Sequence, residues 1–237
     1  MPSAVVLGAR NLGAAIARGL LADGYRVASV ARTASDLEAL EADGAVAVQA
    51  DLANSAGMTE AFDRAMREIG APDLAVNAVS LRPPDDGGQF GGGALAAASA
   101  EAFDAWTVPV ARQAFLFLSA GARALAGRGG TLVQVTGAPA RRAAPERGLI
   151  AAGQAAVRAL AHAAAQEHRR DGVHVTLLIV DGIIESPKTA RMTAGMPPEA
   201  LVRQDDAVEA IRYLARQSGR GLSHELVLTP SGGNWVP

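Results

Sequence analysis

The sequence predicts a doubly wound α/β domain, a seven-stranded parallel sheet flanked by helices, and three observations predict it. Short apolar, β-branched runs alternate with alanine-rich stretches of helical length, the pattern of repeated strand-helix-strand units. The segment TLLIV at 176–180 carries apolar residues for both faces of a sheet, as a central strand covered by helices requires. Near the start, VVLGARNLGAAIARGL passes from a strand through a tight glycine turn into a helix.

A chain of 237 residues, 49% hydrophobic, is long enough for a substantial core, and α/β folds of this length are routinely single domains. We therefore expect one domain over residues 1–237. Its strands are AVVLG (4–8), RVASVA (26–31), AVAVQA (45–50), DLAVNAV (73–79), TLVQVT (131–136), VHVTLLIV (173–180) and ELVLT (225–229). Helices are expected near 11–22, 34–42, 55–69, 100–126, 146–169 and 205–217. Their alanine content either lets helix and sheet approach closely or reflects base composition of the coding DNA. One segment resists the pattern: RPPDDGGQFGGGAL, 82–95, has prolines, two aspartates and five glycines and little to pack, so it reads as a flexible loop. It leaves the carboxyl edge of the sheet, where ligands bind in such folds, so it is either a mobile lid or a plain insertion.

Composition narrows the partners. With 22 basic and 24 acidic residues, bulk charge gives no nucleic-acid footprint. There are no cysteines, and His162, His168, His174 and His224 lack ligand spacing, so no metal site is expected. No apolar stretch reaches the roughly 18 residues that span a bilayer, and the N-terminal residues do not read as a leader. The expected setting is the cytoplasm and the expected partner a small molecule.

The turn from Gly8 to Gly13, GARNLG, is one residue shorter than the usual three-glycine form, with Asn11 where a middle glycine would stand and Leu12 before the last. Asn tolerates positive φ better than other non-glycine residues, so the turn can persist and offer backbone N–H groups to a pyrophosphate. After the second strand come Arg32 and Thr33 rather than an acid, and Arg10 lies in the turn. These arginines are either cations for the 2′-phosphate of NADP or solvated surface. Asp51, with Leu52, and Asn77, with Ala78, follow the third and fourth strands at the sheet's carboxyl edge.

On GARNLG, DL at 51–52, VNAV at 76–79, TLVQVTGAPA, the helix 146–169 and VDGIIESP at 180–187, the chain resembles the short-chain dehydrogenase/reductase superfamily over nearly its whole length. The resemblance implies a Rossmann-like fold and NADP as cofactor. It further implies an adenine contact from Asp51, a cofactor-lining turn at Asn77 and Ala78, and a nicotinamide border at Gly182 and Ser186. Val79 stands where that family has a turn glycine, and Asp181 where it has proline.

The catalytic pattern departs further. Superfamily members carry Tyr-x-x-x-Lys on the helix after the fifth strand, an upstream Ser and an Asn on the preceding helix. The matching positions here are Ile150, Gln154, Gly137 and approximately Pro109. No register shift restores the pair, because the only tyrosines are Tyr25 and Tyr213 and the only lysine is Lys188. Such a relay supplies general acid–base catalysis of roughly 10²- to 10⁴-fold. Gln154 can hydrogen-bond a ribose without supplying charge, and Thr136 is the nearest remaining hydroxyl, either catalytic or structural. Arg141, Arg142, Glu146 and Arg147 form a loop cluster that either receives an anion or is solvated. Three readings stay open: an NADP-dependent oxidoreductase of a carbonyl or alcohol with a rearranged site, a non-redox enzyme on the same scaffold, and a non-catalytic partner subunit. Small apolar residues at Leu149, Ala152, Gly153, Ala156, Leu160 and Ala163, with the resemblance, lead us to expect a homodimer or homotetramer, with Arg158 and His162 near the rim of the contact.

Overall fold

Alternation along β1 (Ser3–Leu7) divides the core in two, because successive strand side chains point to opposite faces. Val5 and Leu7 join Met58, Phe62, Phe117 and Val157 on one face, while Ala4 and Val6 join Ile16, Leu20, Leu40, Ile211 and Leu214 on the other. The first face is covered by α3 (Ser55–Ile69), α4 (Ala100–Leu125) and α5 (Gly148–Glu167), and the second by α1 (Leu12–Ala22), α2 (Glu38–Ala42) and α7 (Gln204–Ala215). This is a computed structural model, and it describes residues 1–80 and 90–233.

The other strands of the main sheet are β2 (Arg26–Ala31), β3 (Val46–Gln49), β4 (Leu74–Asn77), β5 (Gly130–Gly137), β6 (Val173–Val180) and β9 (Glu225–Leu228). They lie in the order β3-β2-β1-β4-β5-β6-β9, and every pairing is parallel. The sheet has the predicted seven strands. Strand order reverses between β1 and β4, so the carboxyl ends of these two strands bound the crevice in which such sheets take ligands. All eight residues of β6 are buried, as its apolar run requires.

Three expectations change. The helix expected over 34–42 is a 3₁₀ turn at Ala34–Asp36 followed by the five-residue α2, because Ser35 and Asp36 favour local turns over helix interior. A second sheet, β7 (Ile183–Ile184) with β8 (Leu201–Val202), flanks the short α6 (Ala190–Thr193), and strands of two residues show no readable period. Most of the expected flexible loop, residues 82–89, lies outside the described residues, but Phe90, Gly91 and Gly92 pack. Phe90 meets Trp106 edge to face at 5.4 Å and lies under the Arg147 guanidinium at 5.3 Å. Gly91 and Gly92, at φ +93° and +97°, press against Arg147 and Leu149 where a Cβ would collide, so these glycines permit docking. Among the described residues, no helix is long and apolar enough to cross a membrane.

Candidate active site

The glycine turn is assembled by contacts that leave no room for side chains. Gly8, at φ +99°, donates its N–H to the Val30 carbonyl at 2.8 Å, and a Cβ there would sit 3.1 Å from the Ala78 carbonyl oxygen. At Gly13 a Cβ would fall 2.0 Å from the Gly8 carbonyl oxygen. Between them Asn11 carries φ 48° and serves as N-cap of α1 without a side-chain hydrogen bond, and the first turn of α1 has no acidic residue. The shortened turn thus keeps its left-handed residue as asparagine. It presents an uncompensated positive helix end, with Leu12 buried beneath it, and this fits a phosphate group.

Around the turn, Arg10, with 74% of its side chain exposed, lies 3.6 Å from Asp36, and Arg32 and Thr33 are exposed at the end of β2. Asp51 is exposed too, but its carboxylate accepts from the Ala53 N–H at 3.2 Å and from Asn54 Nδ2 at 3.0 Å. Asn54 in turn caps α3 by accepting from the Gly57 N–H at 2.8 Å, while Leu52 is buried. Asp51 is therefore oriented by its own helix cap, a support that the DL pair alone does not reveal.

Asn77 is wholly buried, and its side chain turns inward. Its amide donates to Gln113 Oε1 and Gln134 Oε1, both at 2.7 Å, and accepts from Gln113 Nε2 at 3.0 Å. The Asn77 side chain thus lies within the protein, and Ala78 is the part of this segment that meets the glycine turn. Gln113 and Gln134 were missed by the sequence reading. Pro109, the approximate match to the family's helix asparagine, lies one turn before Gln113 inside α4.

On the other side of the crevice, Gln154 Oε1 accepts from the Gly137 N–H at 3.2 Å and from Thr136 Oγ1 at 3.4 Å, so the two expected catalytic candidates do meet. Neither Tyr25 nor Tyr213 lies on α5. Within the arginine cluster, Arg142 makes a bidentate pair with buried Asp181, both contacts at 2.7 Å, and Arg147 stacks on Phe90. An acid directly after the apolar run LLIV needs such a partner, which is the signal that could have identified the pair. Gly182 lies where a Cβ would meet Pro230 at 2.7 Å, and Ser186 Oγ is tied to Thr189 Oγ1 at 3.0 Å. Lys188, also missed, donates to Ser80 Oγ.

The expected subunit stripe on α5 is split. Leu149 and Gly153 are buried within the chain, Gly153 against Thr107 and Val110 of α4, whereas Ala152, Ala155, Ala159 and Ala163 form the exposed line. Arg158 and His162 both pair with Glu225 on the edge strand β9.

A family model described as enoyl-(acyl carrier protein) reductase matches residues 6–227. A metagenomic short-chain oxidoreductase solved with NADP is 25% identical, with 97% of each chain covered and a TM-score of 0.76. An NADPH-bound short chain oxidoreductase from Pseudomonas aeruginosa PAO1 containing an atypical catalytic center is 22% identical, covering 99% of this chain and 98% of that one, TM-score 0.79. An actinorhodin polyketide ketoreductase variant with NADPH is 23% identical, covering 99% and 98%, TM-score 0.78. No curated protein matches the sequence.

Proposed function

We infer the function from one premise: this chain belongs to the short-chain dehydrogenase/reductase superfamily, through the enoyl-(acyl carrier protein) reductase family whose model spans it. The reading is an NADP(H)-dependent oxidoreductase that interconverts a small-molecule carbonyl and alcohol at a non-standard site. The observation that carries it is the glycine turn, with Gly8 and Gly13 packed to backbone contact and Asn11 left-handed over an acid-free helix start. The named solved neighbours, which hold NADP or NADPH, support the choice of cofactor.

Residues of this chain take distinct parts. Backbone N–H groups of the turn would hold the pyrophosphate, Arg10 and Arg32 would supply cations for the 2′-phosphate, and Asp51 would contact the adenine. Ala78 would line the cofactor beside the glycine turn, and Gly182 and Ser186 would border the nicotinamide end. A bound NADPH would supply the hydride. Gln154, aligned by Thr136 and Gly137, hydrogen-bonds the ribose but cannot deliver a proton at neutral pH, so the proton comes from water or the substrate and the protein contributes chiefly by positioning.

The test is to titrate purified protein with NADPH and NADH by fluorescence, then to follow NADPH consumption with small ketones and aldehydes. Tighter binding of NADPH and turnover with at least one carbonyl are expected, and absence of nucleotide binding at millimolar concentration overturns the reading. NADPH binding without any redox turnover favours the second reading, a non-redox enzyme or partner subunit. That reading is supported by the lack of a tyrosine on α5. The assembly belongs to the same proposal: a homodimer or homotetramer through the exposed alanine line of α5, tested by light scattering of Ala159→Glu against the unmutated protein.

A further inference from the structure

Lys188, the only lysine in the sequence, has no part in the functions assigned above. It follows Ser186 by two residues, on the segment between β7 and α6, and its ammonium donates to Ser80 Oγ at 2.5 Å. The two residues are 108 positions apart, so this side chain reaches from the segment after β6 to the segment after β4, across the carboxyl edge of the sheet. The residue as a whole is exposed, yet its ammonium end loses water beside Ser80. That loss first, and the nearby charge of Arg10 second, lower its pKa.

The charges around it are one-sided. Arg10 comes from the glycine turn, and Ala78, two residues before Ser80, touches Gly8 of that turn. The first turn of α1 contributes a positive helix end without an acid. Among the described residues no carboxylate forms an ion pair with Lys188, and the exposed Arg10 has Asp36 at 3.6 Å. An ammonium has three protons, and Ser80 takes one, leaving two for another acceptor. Two cations and a helix dipole gathered at one crevice repel one another unless an anion joins them.

We propose that Lys188 is a second clamp on the pyrophosphate of the bound nicotinamide nucleotide, adding charge to the backbone amides of the glycine turn. The proposal rests on the dinucleotide reading given above. Lys188 acts on the diphosphate bridge common to both nucleotides, whereas Arg32 bears on the 2′-phosphate alone.

Calorimetric titration of Lys188→Met, Lys188→Arg and the unmutated protein with NADPH and with NADH, at low and high salt, tests this. Loss of one charge-assisted hydrogen bond should weaken both nucleotides by a common factor of about tenfold or more. Lys188→Arg should recover part of the loss, and the salt dependence of NADPH binding should be shallower in Lys188→Met. Thermal melting confirms that the variants fold, as expected for an exposed position. Equal affinities in Lys188→Met and the unmutated protein overturn the clamp while leaving the functional reading intact. A loss confined to NADPH overturns it by moving the cation to the 2′-phosphate. An unmutated protein that binds neither nucleotide overturns both.

Discussion

The two banks of the crevice are built on different principles. On the glycine-turn side the chain exposes its polar groups: Arg10, Arg32, Thr33 and Asp51 lie at the surface around a turn made of backbone. On the β5 and α5 side polar groups face one another, with Asn77, Gln113 and Gln134 forming a buried amide network and Gln154 accepting from Thr136 and Gly137. The first bank depends on shape and leaves charge available to a ligand. The second consumes most of its hydrogen bonds internally, its amides with one another and Arg142 with Asp181.

The largest effect should come from breaking the shape of the first bank. Gly13→Ala places a carbon about where the Gly8 carbonyl oxygen already sits, 2.0 Å away, and backbone cannot yield as a flexible side chain can. We expect a loss of about 3 kcal/mol or more in urea unfolding and no measurable nucleotide binding. Retained binding with a normal melting temperature would show that the turn is not rigid.

Next is the amide network. Asn77→Leu leaves Gln113 and Gln134 with buried unpaired groups, at about 1–3 kcal/mol for each group stranded. Chemical denaturation should report a loss of about 2–3 kcal/mol, with NADPH affinity in the folded protein nearly unchanged. A selective loss of affinity would instead move Asn77 to the ligand-facing bank.

A smaller change is expected at Arg32. Arg32→Ala removes an exposed cation, so stability should move by less than about 0.5 kcal/mol while the NADPH-to-NADH affinity ratio falls by about tenfold. An unchanged ratio would make Arg32 solvated surface and leave the preference to Arg10.

The smallest effect lies outside both banks and serves as their reference. His174 is buried in β6, with Nε2 against the Ser223 carbonyl at 2.9 Å, and burial lowers its pKa below the ordinary value near 6.5, assisted by His224 and opposed by that carbonyl contact. The unfolded chain therefore takes up this proton at higher pH than the folded one. The stability that depends on it is present above about pH 6.5 and declines as pH falls towards the folded value, at no more than about 1.4 kcal/mol per pH unit. Melting curves of His174→Gln, which can still donate to Ser223 but does not titrate, should fall less steeply between about pH 5 and 7 than those of the unmutated protein. Parallel curves would place the acid sensitivity elsewhere.

The sequence by itself determined the seven parallel strands, five of the six expected helical segments and the location of the glycine turn, because each rests on periodicity or on a backbone requirement within a few residues. Asn11 was legible for the same reason: positive φ is a local property, and few residue types tolerate it. The sequence also determined that no Tyr-x-x-x-Lys pair can exist, since that follows from the positions of Tyr25, Tyr213 and Lys188. Only the tertiary structure decided where the polar groups point. Asn77 turns inward because Gln113 and Gln134, 36 and 57 positions away, meet it there. Arg142 pairs with Asp181, and Lys188 reaches Ser80. Such pairings join residues far apart in the chain, and a side chain's direction is set by which partner the packed helices and strands bring within hydrogen-bond reach.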